Sequence, residues 1–361
     1  MESTPFPHHG PLDPGQLPAN SELVDDLVQR VSERRVTAVL GPRRFGKTTA
    51  LRSVAERLAD TAVPVWLDLY ELTSWADFAI RLDRAIAAVH GRASATFSEV
   101  AAGLQLQLGV LGVEFRKPAA QRPDAMLTVH AQFDLLVEAS ATQPVVLIVD
   151  EFSGIIGVDG AAALMRTALQ HHFQEIGLLF AGSEPSTMQM LFTDRAEPFY
   201  AQADLVEAPA LSIEAVERIV REGFGSTGRS GGPVSSHIWS FTHGHPHRAM
   251  ELADAVWRQV EPGGGAAVEH VVRGIDAVLA SSSAGMERLF SSLSTGEQLV
   301  LRSSAHGDSI FGPLAKSLGQ SNGGAQHARA TLIDRGHLQR SGNTLTIIDP
   351  VLAEWVRRTF G

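Results

Sequence analysis

The most informative stretch of this chain is Gly41-Pro42-Arg43-Arg44-Phe45-Gly46-Lys47-Thr48. It fits the pattern G-x-x-x-x-G-K-[ST], a loop whose backbone N–H groups surround the phosphates of a nucleotide. Glycine permits the close approach and the backbone angles that such a loop needs. We expect Lys47 to contact the β- and γ-phosphates and the Thr48 hydroxyl to bind Mg²⁺.

The residues on either side of the loop favour the same interpretation. Residues 36–40, VTAVL, form a short β-branched run typical of a buried strand, and residues 49–58, TALRSVAERL, have the apolar spacing of a helix. Strand, loop and helix therefore follow in the order that phosphate binding requires. The predicted nucleotide-binding residues are Gly41, Pro42, Arg43, Arg44, Phe45, Gly46, Lys47, Thr48 and Thr49.

A second chemical signature lies about 100 residues further on. Residues 145–151, VVLIVDE, read as the buried central strand of a parallel sheet with two carboxylates at its end. We expect Asp150 to hold Mg²⁺ through the water shell of the ion and Glu151 to activate the attacking water as a general base. Ser183 follows another apolar run and is predicted to reach the γ-phosphate or that water. A helix N-cap role for Ser183 is the open alternative.

Composition narrows the function classes. The length of 361 residues predicts about two domains, and the absence of cysteine excludes disulfides. The net charge of −10 predicts no general affinity for polyanions. Residues 281–361 carry a net charge of +2 and the remainder −12, so any nucleic-acid contact is expected near the C-terminus. No apolar run reaches 18 residues, which predicts a cytoplasmic protein without a membrane span.

Four segments together resemble a known family. GPRRFGKT, LIVDEF at 147–152, AGS at 181–183 and THGHP at 242–246 are similar to the archaeal-type ATPases of the AAA+/STAND-related P-loop superfamily. The resemblance covers the chain from about residue 18. It implies an α/β P-loop NTPase fold with a parallel sheet, a helical lid and a C-terminal winged helix. It also implies ATP as the nucleotide and slow hydrolysis.

The resemblance assigns further residues in the lid. A Gly-x-Pro turn that approaches the nucleotide base maps onto Gly244 and Pro246. The alternative is that these two residues only begin a helix. His247 stands where relatives carry a γ-phosphate-sensing arginine, and Arg248 is its neighbour. Arg195 is a candidate arginine finger for a neighbouring copy in a homo-oligomer, or else a solvated surface residue.

Domain boundaries and secondary structure are predicted from the spacing of apolar residues and from glycine- and proline-rich segments. The expected divisions are an extended arm at 1–19, an ATPase core at 20–208, a lid at 209–280 and a winged-helix domain at 281–361. Strict alternation at 104–108 predicts a β-hairpin reaching to residue 115. Helices are expected at 235–260, 266–280 and 284–293.

The C-terminal fifth predicts a partner-binding module. Helices at 295–305, 310–319 and 325–335, followed by a hairpin at 338–348, match a winged helix. A capping-box pattern from Ser294 to Glu297 opens the first of these helices, and Asp349-Pro350 opens a last one. For duplex DNA, we expect contacts from 325–340, with Gln326, His327 and Arg329 outward on the helix and Arg340 on the wing. A protein partner is the open alternative. Together these observations predict a molecular switch in which bound ATP and bound ADP favour different positions of the lid and winged helix.

Overall fold

The computed structural model describes residues 2–10, 21–89, 92–313, 316, 319, 321–341 and 344–361. Contacts divide the chain into two compact units. The α/β unit comprises residues 21–41 and 47–208, and the helical unit comprises residues 1–20, 42–46 and 209–361. The five loop residues 42–46 are thus grouped with the helical unit.

The α/β unit alternates strands and helices. In chain order these are α1 (Ser21–Ser32), β1 (Thr37–Leu40), α2 (Lys47–Leu58), β2 (Val63–Asp68), α3 (Trp75–Ala87), α4 (Arg92–Gly103), α5 (Leu111–Glu114), α6 (Ala125–Ser140), β3 (Val145–Asp150), α7 (Ala161–Leu169), β4 (Ile176–Ala181), α8 (Pro185–Thr193) and β5 (Asp204–Glu207). Short 3₁₀ turns lie at Ala119–Gln121 and Phe152–Gly157.

The five strands form one parallel sheet in the order β2-β3-β4-β1-β5. Every residue of β3 and β4 is buried, as the continuous apolar runs predict for strands covered on both faces. The carboxyl ends of β1, β4 and β3 are neighbours along one edge of the sheet. This edge therefore brings together the loop after β1, the acidic pair after β3 and Ser183 after β4.

The predicted β-hairpin at 104–115 is wrong. Residues 104–110 are irregular chain between helices α4 and α5. Three leucines of this stretch pack against the core: Leu104, Leu106 and Leu108. The buried carboxylate of Asp83 accepts hydrogen bonds from the N–H groups of Gly109, at 2.8 Å, and Leu111, at 3.3 Å. The side chain of Asp83 thus pairs with backbone N–H groups that a hairpin would have paired with a second strand. The alternating leucines at 104–108 are explained by the packing of their side chains on the core.

The helices and strands described for the helical unit all follow residue 208. Its elements are α9 (Ile213–Ser226), α10 (Val234–Thr242), α11 (Pro246–Trp257), α12 (Val268–Ser292), α13 (Thr295–His306), α14 (Asn322–Asp334), β6 (Leu338–Ser341), β7 (Thr344–Ile347) and α15 (Pro350–Phe360).

Two helix predictions in this unit need correction. The helices expected at 266–280 and 284–293 are one helix, α12, because a buried face that includes Val278 and Met286 continues across the serine-rich segment. The predicted lid boundary at residue 280 thus lies within α12. The helix expected at 235–260 is divided into α10 and α11, because His243 takes a left-handed conformation with φ of 48°.

The remaining C-terminal elements match their predictions. Ser294 and Glu297 form the expected capping box at the start of α13. Strands β6 and β7 pair as an antiparallel hairpin, and Asp349 caps α15. The hairpin turn at 342–343 and residues 314, 315, 317 and 318 of the helix expected at 310–319 lie outside the described residues.

Residues 2–10 pack against the helical unit as irregular chain. Phe6 is completely buried, with its ring 5.5 Å from the ring of Phe224 on α9. Thr4 donates a hydrogen bond to Asp254 on α11, and Glu2 pairs with Arg229. This segment therefore contributes a core side chain to the helical unit. Within the described part of the chain, no helix has both the length and the apolar character needed to cross a bilayer.

Candidate active site

The loop after β1 has the backbone of a phosphate-binding turn. Arg44 and Gly46 adopt left-handed conformations, with φ of 66° and 77°. These angles turn successive N–H groups toward a common centre, and glycine takes them without strain. Helix α2 begins at Lys47, so its positive N-terminal end directly follows the loop. The arrangement suits a polyphosphate anion.

Lys47 spans the base of this loop. Its side chain is buried, and its Nζ donates a hydrogen bond to the carbonyl oxygen of Gly41 at 2.6 Å. Burial excludes water from the ammonium group, which strengthens its attraction to a phosphate oxygen. The lysine predicted from the pattern thus lies inside the turn that the same pattern predicted.

Thr48 and Asp150 meet at the end of β3. The Thr48 hydroxyl donates a hydrogen bond of 2.8 Å to Oδ2 of Asp150. Burial raises the pKa of Asp150 to about 6, with a contribution from the neighbouring charge of Glu151, while the hydrogen bond from Thr48 opposes the shift. A buried carboxylate with a raised pKa is stabilised by a cation, and the two side chains supply the oxygen ligands that Mg²⁺ prefers. The residues present therefore fit Mg²⁺.

Glu151 lies directly after β3 in a left-handed conformation, with φ of 50° and ψ of 44°. Its Oε2 accepts two hydrogen bonds from Ser183, one from the backbone N–H at 3.0 Å and one from the hydroxyl at 2.7 Å. The cap residue of α8 is Glu184, so the N-cap alternative for Ser183 does not hold. Ser183 fixes the orientation of the carboxylate predicted to act as general base.

The Gly-His-Pro turn of the helical unit has a structural explanation. Gly244 has φ of 72°, and a Cβ atom there would lie 2.1 Å from the carbonyl oxygen of Leu211. His245 caps α11, and Pro246 is its first residue. The sequence requirements at Gly244 and Pro246 are therefore those of a helix start. Contact with a nucleotide base stays a prediction.

The three residues considered as arginine sensor or arginine finger, or in their place, have different surroundings. Arg248 is buried and pairs with Asp349 and Glu251, so carboxylates of its own unit occupy its guanidinium group. His247 Nε2 lies 3.4 Å from the guanidinium of Arg44 in the phosphate-binding loop. Arg195 is exposed on the loop after α8. Its role as an arginine finger stays a prediction.

Sequence reasoning missed how several of these residues are paired. It identified Glu151 and Ser183 separately, but a contact between residues 32 positions apart leaves no local pattern. It placed Phe45 in the nucleotide-binding loop but missed that its buried ring packs on His245. The acidic pattern Asp349-Pro350 signalled a helix start, yet nothing marked Asp349 as the partner of Arg248. Over the described residues, no cluster of three or more His, Asp or Glu side chains forms another metal site.

A parallel sheet with a phosphate-binding loop after β1 and an acidic pair after the buried strand β3 defines a P-loop nucleoside triphosphatase. Residues 24–252, more than half of the chain, match the family described as an ATPase domain found predominantly in Archaea. The chain belongs to this family and is an ATPase. No curated protein sequence matches it.

Solved structures support the fold. The Walker-type ATPase PABY2304 of Pyrococcus abyssi is 18% identical, with 98% of this chain and 99% of that chain covered and a TM-score of 0.74. The ORC2 protein of Aeropyrum pernix in its ADP form is 12% identical, with 98% and 97% covered and a TM-score of 0.54. At these identities the likeness concerns the fold alone.

Proposed function

We propose that this ATPase is a molecular switch in which Mg²⁺-bound ATP and ADP favour different conformations of the C-terminal elements, which act on duplex DNA. The observation that carries the proposal is the succession of α13, α14 and the hairpin β6–β7 behind an ATPase core. Two helices followed by a hairpin have the order of a winged helix. The switch requires only that the two nucleotides bind the two conformations with different affinity.

The hydrolytic step assigns one role to each side chain of the site. Lys47 and the loop N–H groups bind the phosphates, and Thr48 and Asp150 hold Mg²⁺, which neutralises charge on the phosphate oxygens. Glu151 accepts the proton of the water that attacks the γ-phosphorus, while the bond to the bridging oxygen breaks. Ser183 holds Oε2 of Glu151, and we assign the proton transfer to the other carboxylate oxygen, Oε1. We expect slow turnover, as in other switches.

The DNA surface is proposed on α14 and the hairpin. Gln326, His327 and Arg340 are exposed there, whereas Arg329 is half-buried. Arg335 is paired with Glu297 on α13. A surface with His327, Arg340 and an Arg335 already paired with a carboxylate predicts weak, strongly salt-dependent binding.

The second candidate is a switch whose C-terminal elements bind a protein. The low positive charge of the exposed side of α14 favours it, since duplex DNA usually meets several lysines or arginines. In this case nucleotide-dependent assembly is expected without DNA affinity.

The deciding experiment measures phosphate release from ATP with and without duplex DNA. Turnover that DNA stimulates, and that Lys47→Ala abolishes, supports the DNA switch. Turnover that depends on Lys47 but ignores DNA supports the protein-binding alternative. A double variant His327→Glu/Arg340→Glu is expected to remove DNA binding at low salt. Arg273→Glu on α12 is the matched control, because it also replaces an exposed basic residue but lies outside the proposed surface.

We also propose that Arg195 acts on the nucleotide of a second copy of the chain. Its exposure on the loop after α8 supports this proposal. Mixing the inactive variants Lys47→Ala and Arg195→Ala tests it. Restored turnover in the mixture is expected, because the first variant still carries Arg195 for the second. An inactive mixture, or full activity of Arg195→Ala alone, rejects the proposal.

A further inference from the structure

One side chain of the phosphate-binding loop is buried within the helical unit. Phe45 is 8% exposed, and its ring centroid lies 4.8 Å from that of His245 at an interplanar angle of 62°. Phe45 stands between Arg44 and Gly46, the two loop residues with left-handed backbone angles. Any rotation of the peptide groups on either side of Phe45 therefore changes the direction of its ring.

His245 is held on its other side by α11. It is 5% exposed and is the N-cap of this helix, with Nδ1 accepting a hydrogen bond from the backbone N–H of Arg248 at 3.5 Å. A ring nitrogen that accepts is unprotonated, and burial accordingly lowers the pKa of His245 to about 4. A neutral ring that contacts both Phe45 and the first turn of α11 joins the loop to this helix.

Arg248 continues the connection to the C-terminal elements. Its Nε and Nη2 donate to the two carboxylate oxygens of Asp349, at 2.9 and 2.5 Å. The Arg248 side chain is 5% exposed, so water competes little with this two-pronged pair. Asp349 also caps α15, where its Oδ1 accepts from the N–H groups of Val351 and Leu352 at 2.9 and 3.4 Å. One carboxylate thus holds both the arginine and the start of the last helix.

We propose that Phe45, His245, Arg248 and Asp349 form a mechanical connection through which phosphate binding at the loop changes the stability of the start of α15. Phosphate fixes the loop N–H groups and so sets the ring of Phe45 against His245. The cap of α11 and the Arg248–Asp349 pair then respond together. All four residues belong to the helical unit. This inference rests on the proposed switch function, and it names the residues through which nucleotide binding would affect the C-terminal elements.

Hydrogen exchange at the amides of Val351 and Leu352 tests the connection in the full-length chain. We expect Mg²⁺-bound ATP to change their exchange rates by about fivefold or more, the range of ordinary coupling between sites. In His245→Asn this response is expected to disappear while ATP still binds. Asparagine is a good N-cap and keeps the start of α11, but it lacks the ring that contacts Phe45.

Two controls make the result decisive. Glu354→Gln removes the local ion pairs of Glu354 with Arg357 and Arg358 on α15 and is expected to leave the ATP response intact. Direct titration of ATP, followed by calorimetry, shows that each variant is loaded. A chain that does not bind ATP contradicts the proposed function itself. A loaded wild-type chain without any response, or an undiminished response in His245→Asn, overturns the connection alone.

The same coupling must act in the reverse direction, because linkage between two sites is reciprocal. Asp349→Asn keeps a side-chain oxygen to cap α15 but removes the charge that pairs with Arg248. We expect its affinity for ATP to differ from the wild-type value, by at most the factor by which ATP changes the opening of α15. Equal ATP affinities for Asp349→Asn and wild type, measured by the same titration, contradict the connection.

Discussion

Oε2 of Glu151 accepts both the backbone N–H and the hydroxyl of Ser183, at 3.0 and 2.7 Å, across two neighbouring strands of the sheet. The carboxylate is therefore oriented from the tip of β4, although the residue itself lies in a left-handed turn after β3. Backbone strain of this kind persists where surrounding contacts hold it. The contact separates the two proposed roles: Ser183 would position the carboxylate, and Glu151 would accept a proton.

Ser183→Ala tests this separation. The substitution keeps the backbone N–H but removes the hydroxyl, so kcat for ATP hydrolysis is expected to fall by about tenfold, the effect of roughly one hydrogen bond, with little change in KM. Ser183→Thr keeps a hydroxyl and is expected to recover most of the loss. Glu151→Gln is expected to lose about 10²-fold or more while still binding ATP. Turnover unchanged by Glu151→Gln would show that the assigned general base is wrong.

Asp150 gives the chain a distinctive pH dependence in the absence of nucleotide and Mg²⁺. Burial raises its pKa to about 6, above the value near 3.8 of an unfolded chain, so the folded state binds the proton more tightly. The free energy of unfolding is therefore expected to fall as pH rises from about 4 to 6. Asp150→Asn should remove this slope and increase stability at pH 7 by about 1–3 kcal/mol.

Denaturant unfolding in EDTA, between about pH 4 and 7, measures this effect. Asp159→Asn is the control, because it removes one carboxylate from an exposed position close in sequence. The variant at Asp150 and the wild type must differ in slope over the lower part of this range. Parallel curves would contradict a raised pKa at Asp150.

The same carboxylate should make Mg²⁺ binding pH-dependent. A metal ligand must be deprotonated, so protons compete with Mg²⁺ at Asp150 below about pH 6. We expect the Mg²⁺-dependent part of ATP affinity to weaken by up to about tenfold per pH unit between about pH 6 and 5. Titrations of ATP with and without Mg²⁺ across this range provide the measurement. A constant Mg²⁺ contribution throughout would exclude Asp150 as a ligand.

Gly244 and Gly263 form a matched pair for testing the turn before α11. Both have a positive φ, 72° and 79°, but a Cβ atom at Gly244 would lie 2.1 Å from the carbonyl oxygen of Leu211, while none of the described atoms lies within 4 Å of one at Gly263. Gly263→Ala should cost about 1–2 kcal/mol from backbone conformation alone. Gly244→Ala should cost more than about 4 kcal/mol because the backbone of Leu211 must move. Equal costs in thermal unfolding would contradict this close contact.

The ring of Phe6 occupies the space that a side chain at position 223 would need. A Cβ atom at Gly223 would lie 2.4 Å from the ring of Phe6, which is completely buried. Phe6→Ala is expected to destabilise the helical unit by about 3–5 kcal/mol. Gly223→Ala alone should also destabilise it, yet it should cost much less in the Phe6→Ala background, where the space is open. Additive effects in a double-mutant cycle would show that the two residues do not touch.

The sequence predicted the parts of the fold and site that local patterns encode. The loop from Gly41 to Thr48 needs particular residue types at fixed spacing, and the buried strand before Asp150 is recognisable by its continuous apolar run. The capping box at Ser294 and Glu297 is equally local. Strand order, and with it the neighbourhood of Ser183 and Glu151, follows only from how distant strands pair.

The failures have one physical cause. The alternation from Leu104 to Leu108 is genuine, but which backbone groups pair is decided by Asp83, which lies earlier in the chain on α3. Separate helices were expected at 266–280 and 284–293, yet buried residues on both sides of the gap keep α12 continuous. Arg248 was considered for the nucleotide, and its partner is Asp349, 101 positions away. In each case a tertiary contact overrides the local preference.

Phe6 also bears on what happens when the N-terminal segment is lost. The contacts of residues 2–10 with α9 and α11 include the buried ring of Phe6 and the hydrogen bond from Thr4 to Asp254, and Glu2 forms an ion pair with Arg229. Deleting them removes an aromatic side chain from the interior of the helical unit and leaves a void the size of a benzene ring. A synthetic peptide of the same sequence, or benzene itself, is then a candidate to refill that void. Residues 2–10 therefore fill a space in the interior of the helical unit that the rest of the chain leaves open. Proteolytic removal of this segment would destabilise α9 and α11, although these helices lie more than half the chain away in sequence.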